Sequence, residues 1–221
     1  VIGTRPIRHD GVDKVTGRAR YGADISLPGM LHGKVLRSPH AHARIKSIDA
    51  SAALALPGVK AILTSADFPK LAAGVVPMGE LPMNPRYMSM NLLAQDKVLY
   101  DGHAVAAVAA TSPHIAEEAV KLIKVEYEVL PPVLDPFEAM KDGAPQVNPK
   151  YSNILSKTIV KRGDATEALA KSAHVVTGTW HTQRIEHLYL EPESALVEPI
   201  DDGRLRLYSQ GQGIFDDRRQ V

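Results

Sequence analysis

Cysteine is absent from the 221-residue sequence. Without a thiol the chain forms no disulfide, offers no thiolate to a metal and has no cysteine nucleophile. An iron–sulfur cluster, held by cysteine thiolates, would have to sit on another polypeptide. Excess charge is scarce too: 26 Lys and Arg face 25 Asp and Glu, for a formal net charge of +1. That balance leaves no basic footprint, so no nucleic acid is expected as a partner. No apolar run approaches the roughly 20 residues needed to cross a bilayer, so no membrane association is expected either. Val1 to Pro6 lacks the apolar stretch and cleavage site of a secretion signal, and a cysteine-free chain is compatible with the cytoplasm, the expected compartment. The sequence starts without Met and ends at Val221 with no helix-stopping Gly or Pro. Both ends are therefore expected to be cuts from something longer.

Several catalytic and binding motifs are also missing. No Gly-x-Gly-x-x-Gly follows a strand and opens a helix, and no Gly-Lys-Ser/Thr occurs, so phosphate loops are excluded. Gly-x-Ser-x-Gly is absent as well. What remains is an ordinary globular composition, 44% hydrophobic and 23% charged, in a chain long enough for one large domain or two small ones.

The first forty residues read as an irregular arm that reaches a first strand at 31–37. Residues 43–48 alternate as a half-buried strand. Asp49 then caps a helix over 50–56, which Pro57-Gly58 ends, and 59–63 forms the next strand. Residues 65–95 carry four Pro and four Met and read as a long excursion, a kind of loop that is often functional. The clearest pattern follows. Ala104–Ala110 is a small apolar run, as in a strand covered on both faces. Ser112-Pro113 opens a helix in which Ala116, Ala119, Val120 and Ile123 make one apolar stripe. Residues 124–129 return as a strand. Five Pro and an Asp-Gly pair between 131 and 150 mark a candidate boundary. Beyond it, Asp164 caps a helix over 165–171 and strands are expected at 174–183, 194–200 and 204–209. Asp201-Asp202-Gly203 turns the last two into a hairpin, with Leu205 and Leu207 facing inward. Something helical begins at Ile214. The fold class is therefore α+β.

Few side chains suggest chemistry. His32, His40 and His42 lie close in sequence, and imidazole is the commonest metal ligand. A third ligand at zinc-site spacing is missing, so hydrogen-bonded surface or interface histidines beside the Ser38-Pro39 turn are the expected reading over a metal site. His181 and His187, with Gln183 and Arg184 between them, are either polar pocket groups or outward-facing strand residues. Glu191 and Glu193 straddle Pro192. They lack the separate partner that paired-carboxylate chemistry needs. Gln212 stands between Gly211 and Gly213, where backbone can come close to a ligand and the amide offers both donor and acceptor. An ordinary tight turn explains the same residues.

Taken together, several stretches resemble the molybdopterin-binding large subunit of the xanthine oxidase/aldehyde oxidase family of molybdenum hydroxylases. They are Asp13–Tyr21, Asp24–Leu31, Arg37-Ser38-Pro39-His40-Ala41-His42 through Ile45, Leu56–Val59, Ala94–Ala106, Val125–Pro131, Glu186–Pro192 and Tyr208–Gln212. The resemblance implies an arm plus α/β-hammerhead domain over residues 1–145 and the start of a molybdopterin-binding domain over 146–221. It implies oxidation of an aldehyde or heteroaromatic carbon with water as the oxygen source. The cofactor would be molybdenum-molybdopterin, its site shared with the remainder of the large subunit. Electrons would leave through an iron–sulfur subunit and an FAD subunit of a hetero-oligomer. The family's Gly-rich cofactor loop and catalytic Glu are not found in this chain, so it is expected to be inactive by itself and to carry no general base. Gln212 matches the family Gln that hydrogen-bonds the cofactor, with Gly211 where Thr is common and Gln210 as a second amide nearby. His103 departs from the Gln-Pro or Glu-Pro usual after the preceding Gly. Two other readings stay open: a non-catalytic docking module that keeps the hammerhead fold, and a hydrolase using a metal on His32, His40 and His42.

Overall fold

A computed structural model describes residues 2–71, 74, 76–78, 81–148, 152–154, 156–188, 193–211 and 213–220. The arm carries α1 (Gly11–Val15). Then come β1 (His32–Arg37), β2 (Ala43–Asp49), α2 (Ser51–Leu54) and β3 (Val59–Thr64). Next are β4 (Val76–Met78), β5 (Leu81–Met83), α3 (Pro85–Leu92) and β6 (Lys97–Val98). The strand–helix–strand unit is β7 (Ala104–Ala110), α4 (Pro113–Leu122) and β8 (Lys124–Val129). The chain ends with α5 (Pro136–Ala139), α6 (Ala165–Ala170), β9 (Ala195–Pro199), β10 (Leu205–Ser209) and α7 (Ile214–Gln220). No helix among the described residues is long and apolar enough to cross a membrane.

β7 is the centre of an antiparallel sheet ordered β1-β7-β3. Leu36 and Thr64 both pair with Ala106, which aligns one face of all three strands. Ala106, Val108 and Ala110 on that face meet Ala53 of α2 and Ala116, Ala119 and Ile123 around α4 in a buried cluster. Alanine on both sides lets the helix backbone settle close to the strand, so dispersion contacts replace the bulk of larger side chains. The α4 start is fixed by the Ser112 hydroxyl, which accepts the Ile115 N–H at 3.2 Å; such a cap contributes about 1 kcal/mol. The other face of β7 departs from the sequence expectation. Val105 on that face is buried against Ala43, Ala94 and Val98, but Ala107 and Ala109 further along it are only half-buried.

A second antiparallel sheet, β6-β2-β8, encloses Ala43, Ala94, Val98 and Val105, with Ile45 and Tyr127 against them. Ile48 and Val125 contribute to both clusters and join the two sheets into one core.

Several expectations need correction. The 65–95 excursion is not an irregular loop. β4 and β5 pair within it, and α3 begins where the Asn84 side chain accepts the Arg86 N–H at 3.1 Å ahead of Pro85 at the first helical position. The helix at 50–56 shortens to Ser51–Leu54, since the Asp49 carboxylate already accepts the Ser51 N–H at 3.0 Å and the Ser51 hydroxyl at 2.6 Å. The arm, expected to be irregular, contains the short exposed α1. The segment 174–183 is not a strand, and every described residue from 156 to 188 is exposed. Val176, 88% exposed, and Trp180, 77% exposed, show that its apolar side chains find no cover there.

His103 is fully buried and binds the β6–β7 connection together. Its Nδ1 accepts the Leu99 N–H at 3.2 Å, which leaves the proton on Nε2 in the neutral ring. The ring stacks on Tyr100 with centroids 4.4 Å apart. Its carbonyl accepts the Ser38 N–H at 2.9 Å. Nε2 is buried without a close hydrogen bond, though the nearby backbone of Met90 and Asn91 partly offsets the burial that lowers the imidazole pKa.

Two of these contacts can be tested by substitution. Gly58 has φ of +98°, and a Cβ there would lie 2.7 Å from Ile115 Cδ1 and 2.9 Å from Thr111 Oγ1. Gly58→Ala should lower unfolding free energy by roughly 1–3 kcal/mol in urea titration. For His103, the unfolded chain takes up a proton near the ordinary pKa of about 6.5 while the folded chain resists it. Its contribution is therefore complete above that pH and is lost as pH falls through the lower folded value. Between pH 7 and 5, the fall in urea midpoint (about one proton's worth of linkage) should be shallower in His103→Gln than in the unsubstituted chain. Equal slopes would show that this imidazole does not carry the acid sensitivity.

Candidate functional site

The hairpin signal at Asp201-Asp202-Gly203 produces β9 and β10. Asp202 and Gly203 adopt positive φ, and Pro199 pairs with Leu205 through to Ala195 with Ser209. Period two puts Leu205 and Leu207 on one face: Leu207 is half-buried as expected, whereas Leu205, nearer the turn, stays 58% exposed, against expectation. One step beyond the last pair, the same register puts Ser194 opposite Gln210, and the Ser194 hydroxyl donates to Gln210 Oε1 at 3.1 Å.

The open end of this hairpin and the start of α7 enclose a cavity of about 490 Å³. Its walls include Ser194, Ser209, Gln210 and Gly211, with Glu193 and Asp217 as the acidic groups. The α7 start is tied back by the Asp216 and Asp217 N–H groups donating to the Gly213 carbonyl at 2.8 and 2.9 Å. At Gly211 the Asp217 carboxylate occupies the space where a side chain would project. Gly22 of the arm plays the same part for Ser194. Gln212, the residue singled out between the two glycines, lies outside the described residues. Its neighbour Gly211 lines the cavity.

The wall carries the hydroxyls of Ser194 and Ser209 and the Gln210 amide beside the apolar Ala195 and Leu207, and contains no cationic side chain among the described residues. It suits the hydrogen-bonding edge of a neutral heterocycle. It does not suit a phosphate, which two nearby carboxylates would repel. The described residues thus fit the pterin portion of a molybdopterin and leave its phosphate to other residues.

The remaining sequence candidates do not converge on this cavity. His42 Nδ1 donates to the Pro131 carbonyl at 2.8 Å, which pins the chain leaving β8. His40 meets Tyr127 edge-on, with centroids 5.0 Å apart. Burial raises the Tyr127 pKa, opposed by a hydrogen bond with Ser38. His32 sits on β1 opposite Ala110. Among the described residues no three His, Asp or Glu side chains are grouped to hold a metal, so the metal hydrolase reading finds no site. His181, Gln183, Arg184 and His187 all lie on the exposed stretch. Glu191 is outside the described residues; Glu193 lines the cavity. Asp217 carries no sequence signal of its own, and nothing short of the fold-back of α7 reveals it. Ser194 can be found by counting outward from the hairpin turn.

Comparison with known proteins supplies the class. Residues 16–131 match the family model described as aldehyde oxidase and xanthine dehydrogenase, a/b hammerhead domain. Residues 147–221 match the molybdopterin cofactor-binding domain. The chain belongs to the aldehyde oxidase and xanthine dehydrogenase family. Its fold is the hammerhead architecture followed by the opening of a molybdopterin-binding domain. It is 36% identical to the nicotine 6-hydroxylase large subunit of Paenarthrobacter nicotinovorans, over 96% of this chain and 26% of that one. Quinoline 2-oxidoreductase from Pseudomonas putida 86 superposes with a TM-score of 0.77 at 37% identity, covering 94% of this chain and 26% of that one. Aldehyde oxidoreductase from Desulfovibrio gigas gives a TM-score of 0.78 at 30% identity, over 91% and 23%. The chain therefore spans about a quarter of the length of these relatives.

Proposed function

We propose that this chain forms part of the large subunit of a molybdenum hydroxylase that oxidises an aldehyde or heteroaromatic carbon with water as the oxygen source. The observation that carries the reading is the cavity at the end of the β9–β10 hairpin. It lies inside the segment that matches the molybdopterin cofactor-binding domain, and its wall offers hydroxyl and amide groups. When bound, the molybdopterin group supplies the two-electron oxidation of the substrate carbon. The residues of this chain position and hold. Ser194 fixes the Gln210 amide, Gly211 leaves room for the Asp217 carboxylate, and Gln212 would donate a hydrogen bond to the cofactor.

The division into an arm plus hammerhead domain at 1–145 and a molybdopterin-binding segment at 146–221 is part of this proposal. Both buried clusters support it, since all their members precede residue 128. The remainder of the large subunit is the proposed cover for the apolar side chains between 156 and 188. No cysteine in these 221 residues can hold an iron–sulfur cluster, so the clusters that take up the electrons would be held elsewhere in the assembly. An iron–sulfur subunit and an FAD subunit in a cytoplasmic hetero-oligomer meet that need.

In the assembled complex, Gln212→Ala should lower turnover by roughly 100-fold, the usual loss when one preorganised donor is removed. Molybdenum content and melting temperature should be unchanged. Unaltered turnover would remove Gln212 from the cofactor contact. A purified complex lacking both molybdenum and pterin would instead establish the docking-module reading.

A further inference from the structure

A second cavity, of about 550 Å³, lies in the hammerhead part and shares no lining residue with the one at the β9–β10 hairpin. Three chain segments build it: the turn after β3, the first two turns of α3, and Gln95 beyond that helix. Lys70 and Arg86 bring two positive charges to its wall, and no carboxylate lines it among the described residues. Neither cation forms an ion pair among the described residues. Asp67, the acidic residue within the contributing turn, is committed elsewhere. Its carboxylate accepts the Thr64 N–H at 2.7 Å and the Thr64 hydroxyl at 3.1 Å. The helix places Arg86 and Ser89 three residues apart, hence on one face, and Ser89 is buried at 8% exposure. Phe68 and Leu71 give the same cavity an apolar side.

We infer that this cavity binds a small organic anion, with Lys70 and Arg86 on its carboxylate or phosphate, Ser89 and Gln95 as hydrogen-bonding partners, and Phe68 and Leu71 against its apolar body. A guanidinium and an ammonium in a shared concavity, with no carboxylate among its described lining residues, raise the local potential toward anions. Arg presents the forked donors that suit carboxylate and phosphate oxygens. The apolar side favours an anion with a hydrocarbon body over a bare inorganic ion. This site is independent of the cofactor reading and stands or falls separately from it.

Isothermal titration calorimetry of the full chain with phenyl phosphate and with benzoate tests the inference. Inorganic phosphate and benzyl alcohol serve as single-feature controls. At least one of the two organic anions should bind saturably with one site per chain, and more tightly than either control. Arg86→Gln and Lys70→Gln should each weaken that binding roughly tenfold or more, as expected for loss of a charge-assisted contact. Both positions are exposed, so the circular dichroism spectrum should not change. Ser194→Ala, at the other cavity, should leave the binding intact. Absence of saturable binding at millimolar concentrations would overturn the assignment. So would benzyl alcohol or inorganic phosphate binding as tightly as the organic anions, or affinity indifferent to both cation substitutions.

Discussion

The close seating of α4 on β7 is the contact on which the rest depends. Ala106, Ala110, Ala116 and Ala119 are all essentially inaccessible to solvent. No large side chain separates helix from strand, so the approach is governed by backbone shape and by where the helix starts. Ser112 sets that start, and the Thr111 N–H, donating to the Gly58 carbonyl at 2.9 Å, ties it to the turn ahead of β3. Interiors packed this tightly tolerate little change in volume. The sheet order, the return of β8 beside β2, and the position of His103 at the foot of β7 all follow from that one interface.

The strand–helix–strand unit is legible in the sequence because local signals agree there. Ser112-Pro113 is a helix start by capping and by proline geometry together, and the Ala116/Ala119/Ile123 stripe has a period that only a helix satisfies. The β9–β10 hairpin is legible for a similar reason: Asp202 and Gly203 accept the positive φ that the turn demands. Where two signals conflict, the pattern misleads. Asn84-Pro85 is as good a helix start as Ser112-Pro113, but the surrounding Pro and Met obscure it. The alternation at 174–183 suggests a strand, yet a strand needs a partner, and none of the described strands pairs with it. Periodicity reports what a segment could bury, not what is present to bury it.

The site shows the same division. Gly211, Gln212 and Gly213 stand out by their chemistry, and Gln210 is visible as a neighbouring amide. The cavity that Gln210 and Gly211 line is not visible in the sequence, because it depends on Asp217 folding back from α7 and on Ser194 arriving from the opposite strand. The three early histidines illustrate the opposite error of proximity. His40 and His42 are two residues apart, but one ring meets Tyr127 and the other a carbonyl beyond β8. Neighbours in sequence are drawn to different structural duties.

The exposed run from 156 to 188 has a consequence for how the polypeptide acquires its shape. Apart from the short helix α6, capped by Asp164, this segment buries no residue of its own that would fix its path. Trp180 and Val176 supply adhesive surface without supplying direction. The course of this run is therefore written by whatever it is laid against. The alanine-lined hammerhead holds its form as a mould does, and the strand of chain beyond it behaves as the cast.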